Sequence, residues 1–189
     1  MNKIKIKDRY NNDNLVDAKF ITLDKHDLNR FMEFQEKIIQ ALDNKELYAP
    51  TTISEYLDCL EKPHYILGIE NLSNNELIAV GIYLLNGLDE ENYGYDLDFP
   101  KEDLLKTSQI LSTLVSPQFR GNKLQQLICE KFIETALIHG DKYITATVSP
   151  INPYSLNTFL ALGFKVEKEK LKYGGLRRYV LSKNLLSDN

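Results

Sequence analysis

"VSPQFRGNKLQ", Val115–Gln125, stands between an apolar run, ILSTLV (110–115), and an amphipathic pattern. The junction holds one proline, one glycine, an arginine and a lysine, and little apolar material. A helix that starts directly after a buried strand points its unbonded N–H groups past the strand end. Its dipole adds partial positive charge there. Gly121 lets a ligand come close to the backbone, and Arg120 and Lys123 add full positive charges. Together these suit a phosphate or pyrophosphate. A plain turn with two solvated cations reads the same residues equally well. Neither GxxxxGK[ST] nor GxGxxG is present, so the junction is neither a P-loop nor a dinucleotide fingerprint.

Working outward, TSQILSTLV (107–115) is too apolar for an edge strand. After the junction, Leu124, Leu127, Ile128, Phe132, Ala136 and Leu137 form a helical stripe that ends at Gly140. KYITATV (142–148) is the next strand, SPINP a loop, and 153–162 a short helix stopped by Gly163. FKVEKEK and RRYVLSKNL read as a hairpin across Tyr173-Gly174-Gly175, itself read as a turn.

Upstream, VDAKFITL (16–23) is a strand, and Asp24 with Asp27 caps a helix running to about Leu42. Thr52 and Glu55 form a capping box that opens a second helix, expected to end at Pro63. HYILGIE and ELIAVGIYLL form an antiparallel hairpin around the turn at 73–75. The gap 86–106 holds seven acidic residues against two lysines. It reads as a solvated loop, or as a lid whose charge attracts a cationic amine.

The element order implies one α+β domain over 1–189, with 1–14 as an N-terminal arm and 86–106 as an acidic insertion. Length fits one domain, and 43% hydrophobic with 26% charged residues is ordinary for a soluble protein. A net charge of −4 gives no case for nucleic acid or an anionic membrane. The apolar runs are too short to span a bilayer. The start, MNKIKIKDRYNNDN, has no apolar core of a secretory signal, so a cytoplasmic protein is expected. Cys59, Cys129 and the three scattered histidines give no metal-ligand spacing, and no metal is expected. Cys129 reads as a small buried hydrophobe.

Two linked stretches resemble the GCN5-related N-acetyltransferase family. The first is the junction, with Val115, Pro117, Arg120 and Gly121 in register with V-x-P-x-x-R-G-x-G-x-G, followed by Leu124. The second is TATVSPINPYSLNTFLALGF, with Asn152, Ser155, Gly163 and Phe164 matching. The strand and helix order fits across about residues 16–183. The resemblance implies a mixed, mostly antiparallel sheet of about six to seven strands with helices on both faces. It implies acetyl-CoA as co-substrate. Thr113, Leu114 and Val115 would pair with the pantetheine arm. Arg120, Gly121, Asn122, Lys123, Leu124 and Gln125 would hold the pyrophosphate, and Asn152 and Ser155 would face the thiol end. Lys123 and Gln125 depart from the family's small residues.

Acyl transfer needs a neutral amine, a donor for the thioester oxygen and a route for the thiolate to gain a proton. The resemblance places the usual tyrosine acid at Phe159, which cannot donate a proton. Phe159 is either core packing or a ring edge at the thiol. Ser155, one turn away, is either a small helix residue or a hydroxyl for the sulfur. The catalytic acid and base therefore stay unassigned. The function implied is acetyl transfer from acetyl-CoA to a primary amine of a small molecule or protein, a cationic one if the acidic gap faces it, by direct transfer in a ternary complex. A catalytically degenerate acyl-CoA-binding module, or an unrelated phosphate-binding domain, are the alternatives. The oligomeric state stays open, a homodimer included.

Overall fold

The computed structural model describes residues 3–61 and 64–186. The second half reads β5 (Thr107–Val115), α4 (Leu124–His139), β6 (Tyr143–Val148), α5 (Pro153–Ala161), β7 (Lys165–Lys172) and β8 (Leu176–Asn184). The first half holds β1 (Lys3–Asp8), β2 (Asn14–Leu23), α1 (Leu28–Gln40), α2 (Ile53–Glu61), β3 (Tyr65–Asn71) and β4 (Leu77–Leu84), with a short α3 (Lys101–Leu104) before β5. Pro63, the expected end of α2, lies outside the described residues.

The eight strands form one sheet in the order β1-β2-β3-β4-β5-β6-β8-β7. Only β5 and β6 run parallel. The sheet has one strand more than the expected six to seven. The extra strand is β1, inside the stretch expected to be an arm, and it pairs antiparallel with β2. Its Lys-Ile alternation is a period-2 pattern, and Ile6 is buried in the core. The alternation specifies a strand.

Helices cover both faces. On one, Phe31, Phe34 and Ile38 of α1 and Tyr56 of α2 pack on Ile66, Val80, Ile82 and Leu114. On the other, Ile128, Phe132 and Ala136 of α4 and Phe159 of α5 pack on Ile69, Tyr83, Ile110, Ile144 and Leu181. Gly81 sits under α4: an added Cβ would come within 2.4 Å of Ile128 Cγ2. The missing side chain lets α4 lie close on β4. Cys129 is fully buried, and burial pushes its thiol up. No helix among the described residues is long and apolar enough to cross a membrane.

Two capping boxes form as expected. Asp24 and Asp27 cap each other's backbone, opening a 3-10 turn (Lys25–Asp27) ahead of α1. The Thr52 amide donates to Glu55 Oε2 and the Glu55 amide to Thr52 Oγ1. Gly140 ends α4 in the left-handed region, with φ +85°.

The acidic gap is a folded element. Residues Tyr93–Leu97 form a 3-10 helix, and Asn92, Tyr93 and Leu104 are buried. Asn92 Nδ2 donates to the carbonyls of Gly87 and Leu104, and the Tyr93 amide donates to Gln109 Oε1. The solvated-loop reading is thus corrected: polar composition concealed a segment whose backbone groups are met by buried amides.

Candidate functional site

β5 and β6 pair only from Thr107↔Tyr143 to Ile110↔Ala146. There they part. On its other side, β5 pairs Ile110 with Tyr83 and Ser112 with Ile82, so Leu111 is an extra residue, a β-bulge. A bulge bends its strand and increases the local twist. From Leu111 onward one edge of β5 has no partner strand among the described residues, and a cleft opens where β6 leaves it. The cleft encloses about 690 Å³ together with the solvent at its mouth. Its walls are Leu111–Thr113, Thr147–Ser149, the loop 47–51, the start of α5, and Tyr173 and Arg178 of the β7–β8 hairpin.

The junction 115–125 lies at the end of this free edge. Pro117–Phe119 form a 3-10 turn, and Arg120 returns to extended backbone. Gly121 has φ +87°, and no atom would meet an added Cβ within 4 Å. Lys123 starts α4 at φ +57°, ψ +25°, and no side chain caps the helix. Left-handed backbone costs a non-glycine residue roughly 1–2 kcal/mol, so Lys123 holds this position at a conformational cost. The first intrahelical bond runs from the Leu127 amide to the Lys123 carbonyl. The amides of residues 124–126 therefore lie ahead of the ladder, beside the exposed Arg120 and Lys123.

The remaining expected site residues divide. Thr113 lines the cleft, Leu114 is buried under α1 and α2, and Val115 packs against the α4 side. The Asn122 side chain turns away: it donates to the Lys7 and Phe119 carbonyls and accepts from the Lys7 amide. It ties the loop to β1, so only the Asn122 backbone can serve a ligand. Asn152 lines the cleft while accepting from the Ser155 amide as the N-cap of α5. Gln125 Nε2 donates to Thr113 Oγ1 at 3.0 Å and to Ser155 Oγ at 2.8 Å, tying β5 to α5.

Phe159 is 2% exposed and packs edge-on against Phe164, with ring centroids 5.0 Å apart. It is a core residue. Phe159→Tyr is expected to bury a hydroxyl without a partner, to lower stability by about 1–3 kcal/mol and to leave any turnover unimproved. A melt and a rate on the same variant check both. A higher kcat in an equally stable variant would defeat the core assignment.

Tyr173, first read as part of a turn, reaches the cleft. Its φ is +52°. Its hydroxyl shares hydrogen bonds with Tyr93 Oη at 2.5 Å and with Thr147 Oγ1 at 2.9 Å. Burial pushes the phenol up, against the lowering effect of its bonds to Thr147 and Tyr93, so it stays protonated at neutral pH. Two more groups of the cleft went unread in the sequence. Glu55 brings a carboxylate from the start of α2, and Tyr48 donates its hydroxyl to the buried Gln35 Oε1. Gln35 also exchanges two hydrogen bonds with the Thr51 backbone, which fixes the 47–51 wall. The Thr52–Glu55 capping box was a readable signal for Glu55; its direction was not.

The acids expected to attract a cation are already paired. Lys170 and Lys172 both donate to Asp96, and Lys168 to Asp98. Burial pushes the Asp96 carboxyl up, but the two lysines outweigh it and hold it below its ordinary value. The segment is pinned to β7.

No family model and no curated protein matches the sequence. Solved structures do match the fold. Naa20 of Chaetomium thermophilum, solved with a bisubstrate analogue, superposes with a TM-score of 0.71 at 16% identity, over 90% of this chain and 88% of that one. A GNAT-family acetyltransferase of Listeria monocytogenes gives 0.67 at 15% identity, over 97% and 99%. The yncA protein of Salmonella typhimurium, solved with its cofactor acetyl-CoA, gives 0.65 at 16%, over 89% and 94%. With its parted parallel strands, its layered helices and these superpositions, the chain has the fold of the GCN5-related N-acetyltransferases.

Proposed function

We propose that the protein transfers an acetyl group from acetyl-CoA to a primary amine of a small molecule or protein, by direct attack in a ternary complex. One observation carries the reading: the unpartnered edge of β5 from Leu111 runs straight into the uncapped N-terminus of α4. An extended amide-bearing arm suits the first by strand addition. A pyrophosphate suits the second, where free amides, the helix dipole, Arg120 and Lys123 converge. Pantetheine pyrophosphate has both parts in that order.

The chemistry follows from the cleft. The amine lone pair attacks the acetyl carbonyl carbon, and the C–N bond forms. A backbone N–H near Val115 stabilises the oxyanion. The C–S bond then breaks, and its electron pair leaves on the CoA sulfur. The Tyr173 phenol gives that sulfur a proton, and the proton that the nitrogen, cationic after the attack, sheds returns through water to the Tyr173 phenolate. Glu55, or water beside it, takes the proton that the ammonium loses before attack. Asp96 and Asp98, in the acidic segment, are held by lysines. The protein works in the cytoplasm on this reading, as one acyltransferase domain.

A degenerate acyl-CoA-binding module is the second reading. Gln125 favours it, because its side chain links the two sides of the cleft. Release of free thiol from acetyl-CoA over a panel of amines separates the two.

Acetyl-CoA at 100 times its dissociation constant is expected to stabilise the fold by about 2.7 kcal/mol. Arg120→Ala should weaken that binding and leave the unliganded melt nearly unchanged, since Arg120 is exposed. A melt moved by ATP or NAD but not by CoA would sink the reading.

A further inference from the structure

Arg177 and Arg178 are adjacent on β8 and point to opposite faces. Arg177 is exposed and pairs with Glu169. Arg178 is 4% exposed, and it lines the cleft. Its Nη1 donates to the Arg177 carbonyl at 2.8 Å. Among the described residues, its Nη2 is buried with no hydrogen-bond partner. The Tyr173 ring stands over the guanidinium, 5.7 Å from Cζ.

A buried charge without a bonded counter-ion is costly. Burial holds the Arg178 pKa below its ordinary value, while Tyr173, Glu46 and Tyr93 act the other way through space. An arginine stays protonated even so. The fold thus keeps a cation that forms no salt bridge among the described residues, with an N–H₂ group free of hydrogen bonds, in the wall of the cleft. Such a group fits an oxygen anion, since charge-assisted N–H···O⁻ bonds are the strong ones. The hydroxyls of Tyr48, Ser112 and Thr147 make the same cleft polar and bring no negative charge. Glu55, on another wall, suits an ammonium.

We infer that the acceptor amine carries a carboxylate, which Arg178 Nη2 holds while the amine faces the acetyl group. The inference rests on the acetyl-transfer reading and deepens it: the substrate class is amino acids and related amino-carboxylates rather than simple cationic amines. Arg178 selects the acceptor and takes no part in the proton transfers.

The test compares N-acetyl amino acids with their matched amides as product-like probes, with CoA saturating. Melting of the wild-type protein and of Arg178→Gln is recorded for each pair. Free-thiol release from acetyl-CoA is measured with the corresponding amino acids and amino-acid amides. The acids should raise the wild-type melting temperature where the amides do not, and Arg178→Gln should lose the difference. The amino acids should exceed their amides in kcat/KM by about ten- to a hundredfold. Arg178→Lys, which keeps the charge, should retain part of that preference, so a misfolded glutamine variant does not decide the matter. If CoA shifts the wild-type melt but acids and amides behave alike across the panel, the carboxylate subsite is overturned and acetyl transfer stands. If CoA itself shifts nothing, the acetyl-transfer reading falls, and this one with it.

Discussion

Tyr173→Phe is expected to lower kcat by about 100-fold or more and to leave the CoA dissociation constant unchanged. Positioned proton donors contribute typically 10²–10⁴-fold, and the phenol of Tyr173 lies in the cleft wall beside Thr147. Burial raises its pKa, so the protonated, competent form persists to higher pH than for a free tyrosine. The alkaline limb of kcat/KM should therefore lie above about 10, and it should disappear in the phenylalanine variant. The substitution also removes one partner of the buried Tyr93 hydroxyl, at a cost of up to about 1–3 kcal/mol. Stability loss alone does not move a pH profile. A variant that melts lower but keeps its kcat and its alkaline limb would show Tyr173 to be a structural brace only.

Phe132→Ala is expected to destabilise the fold by about 3–5 kcal/mol. That corresponds to a fall in Tm of roughly 6–20 °C for a chain of this size. Phe132 is fully buried in α4, with ring centroids 5.4 Å from Tyr65 and 5.6 Å from Tyr83. It also fills the space above Gly81, where an added Cβ would stand 2.8 Å from its Cε2. The ring anchors the middle of α4 on β4, and so aims the N-terminus of the helix at the end of β5. Saturating CoA should still raise the variant's melting temperature, because the site lies about two turns away along the helix. A loss below 1 kcal/mol would mean that α4 is positioned by other contacts.

Most of the fold was legible from local pattern. The α4 stripe, the Gly140 stop, the two capping boxes and the late hairpin are written in neighbours two to four residues apart, and that is the range over which strand and helix periodicities act. The junction 115–125 was legible for the same reason. Where reading failed, local pattern had two uses. The Lys-Ile alternation of residues 3–7 carries both the polarity of an arm and the period of two of a strand. The segment 86–106 looked solvated because the amides that satisfy its backbone lie on Asn92 and Gln109, and one of these belongs to a strand. Phe159 was ambiguous because helical spacing fixes a face and does not say what lies against it; Phe164 does.

The sequence by itself determined the element order, the helix starts and stops, the alternation that splits the core between two faces, and the cationic strand-to-helix junction. These depend on contacts within a few residues. Only the tertiary structure decided what meets in the cleft. Glu55, Thr147, Tyr173 and Arg178 come from four separate elements. They converge because β6 pairs with β8 and because the bulge at Leu111 parts β5 from β6. Tyr173 and Arg178 sit in a hairpin that reads only as a turn and a strand. The placement of Arg178 follows from which face of β8 looks into the gap, and that face is set by pairing register between residues more than thirty apart, such as Thr147 and Val180.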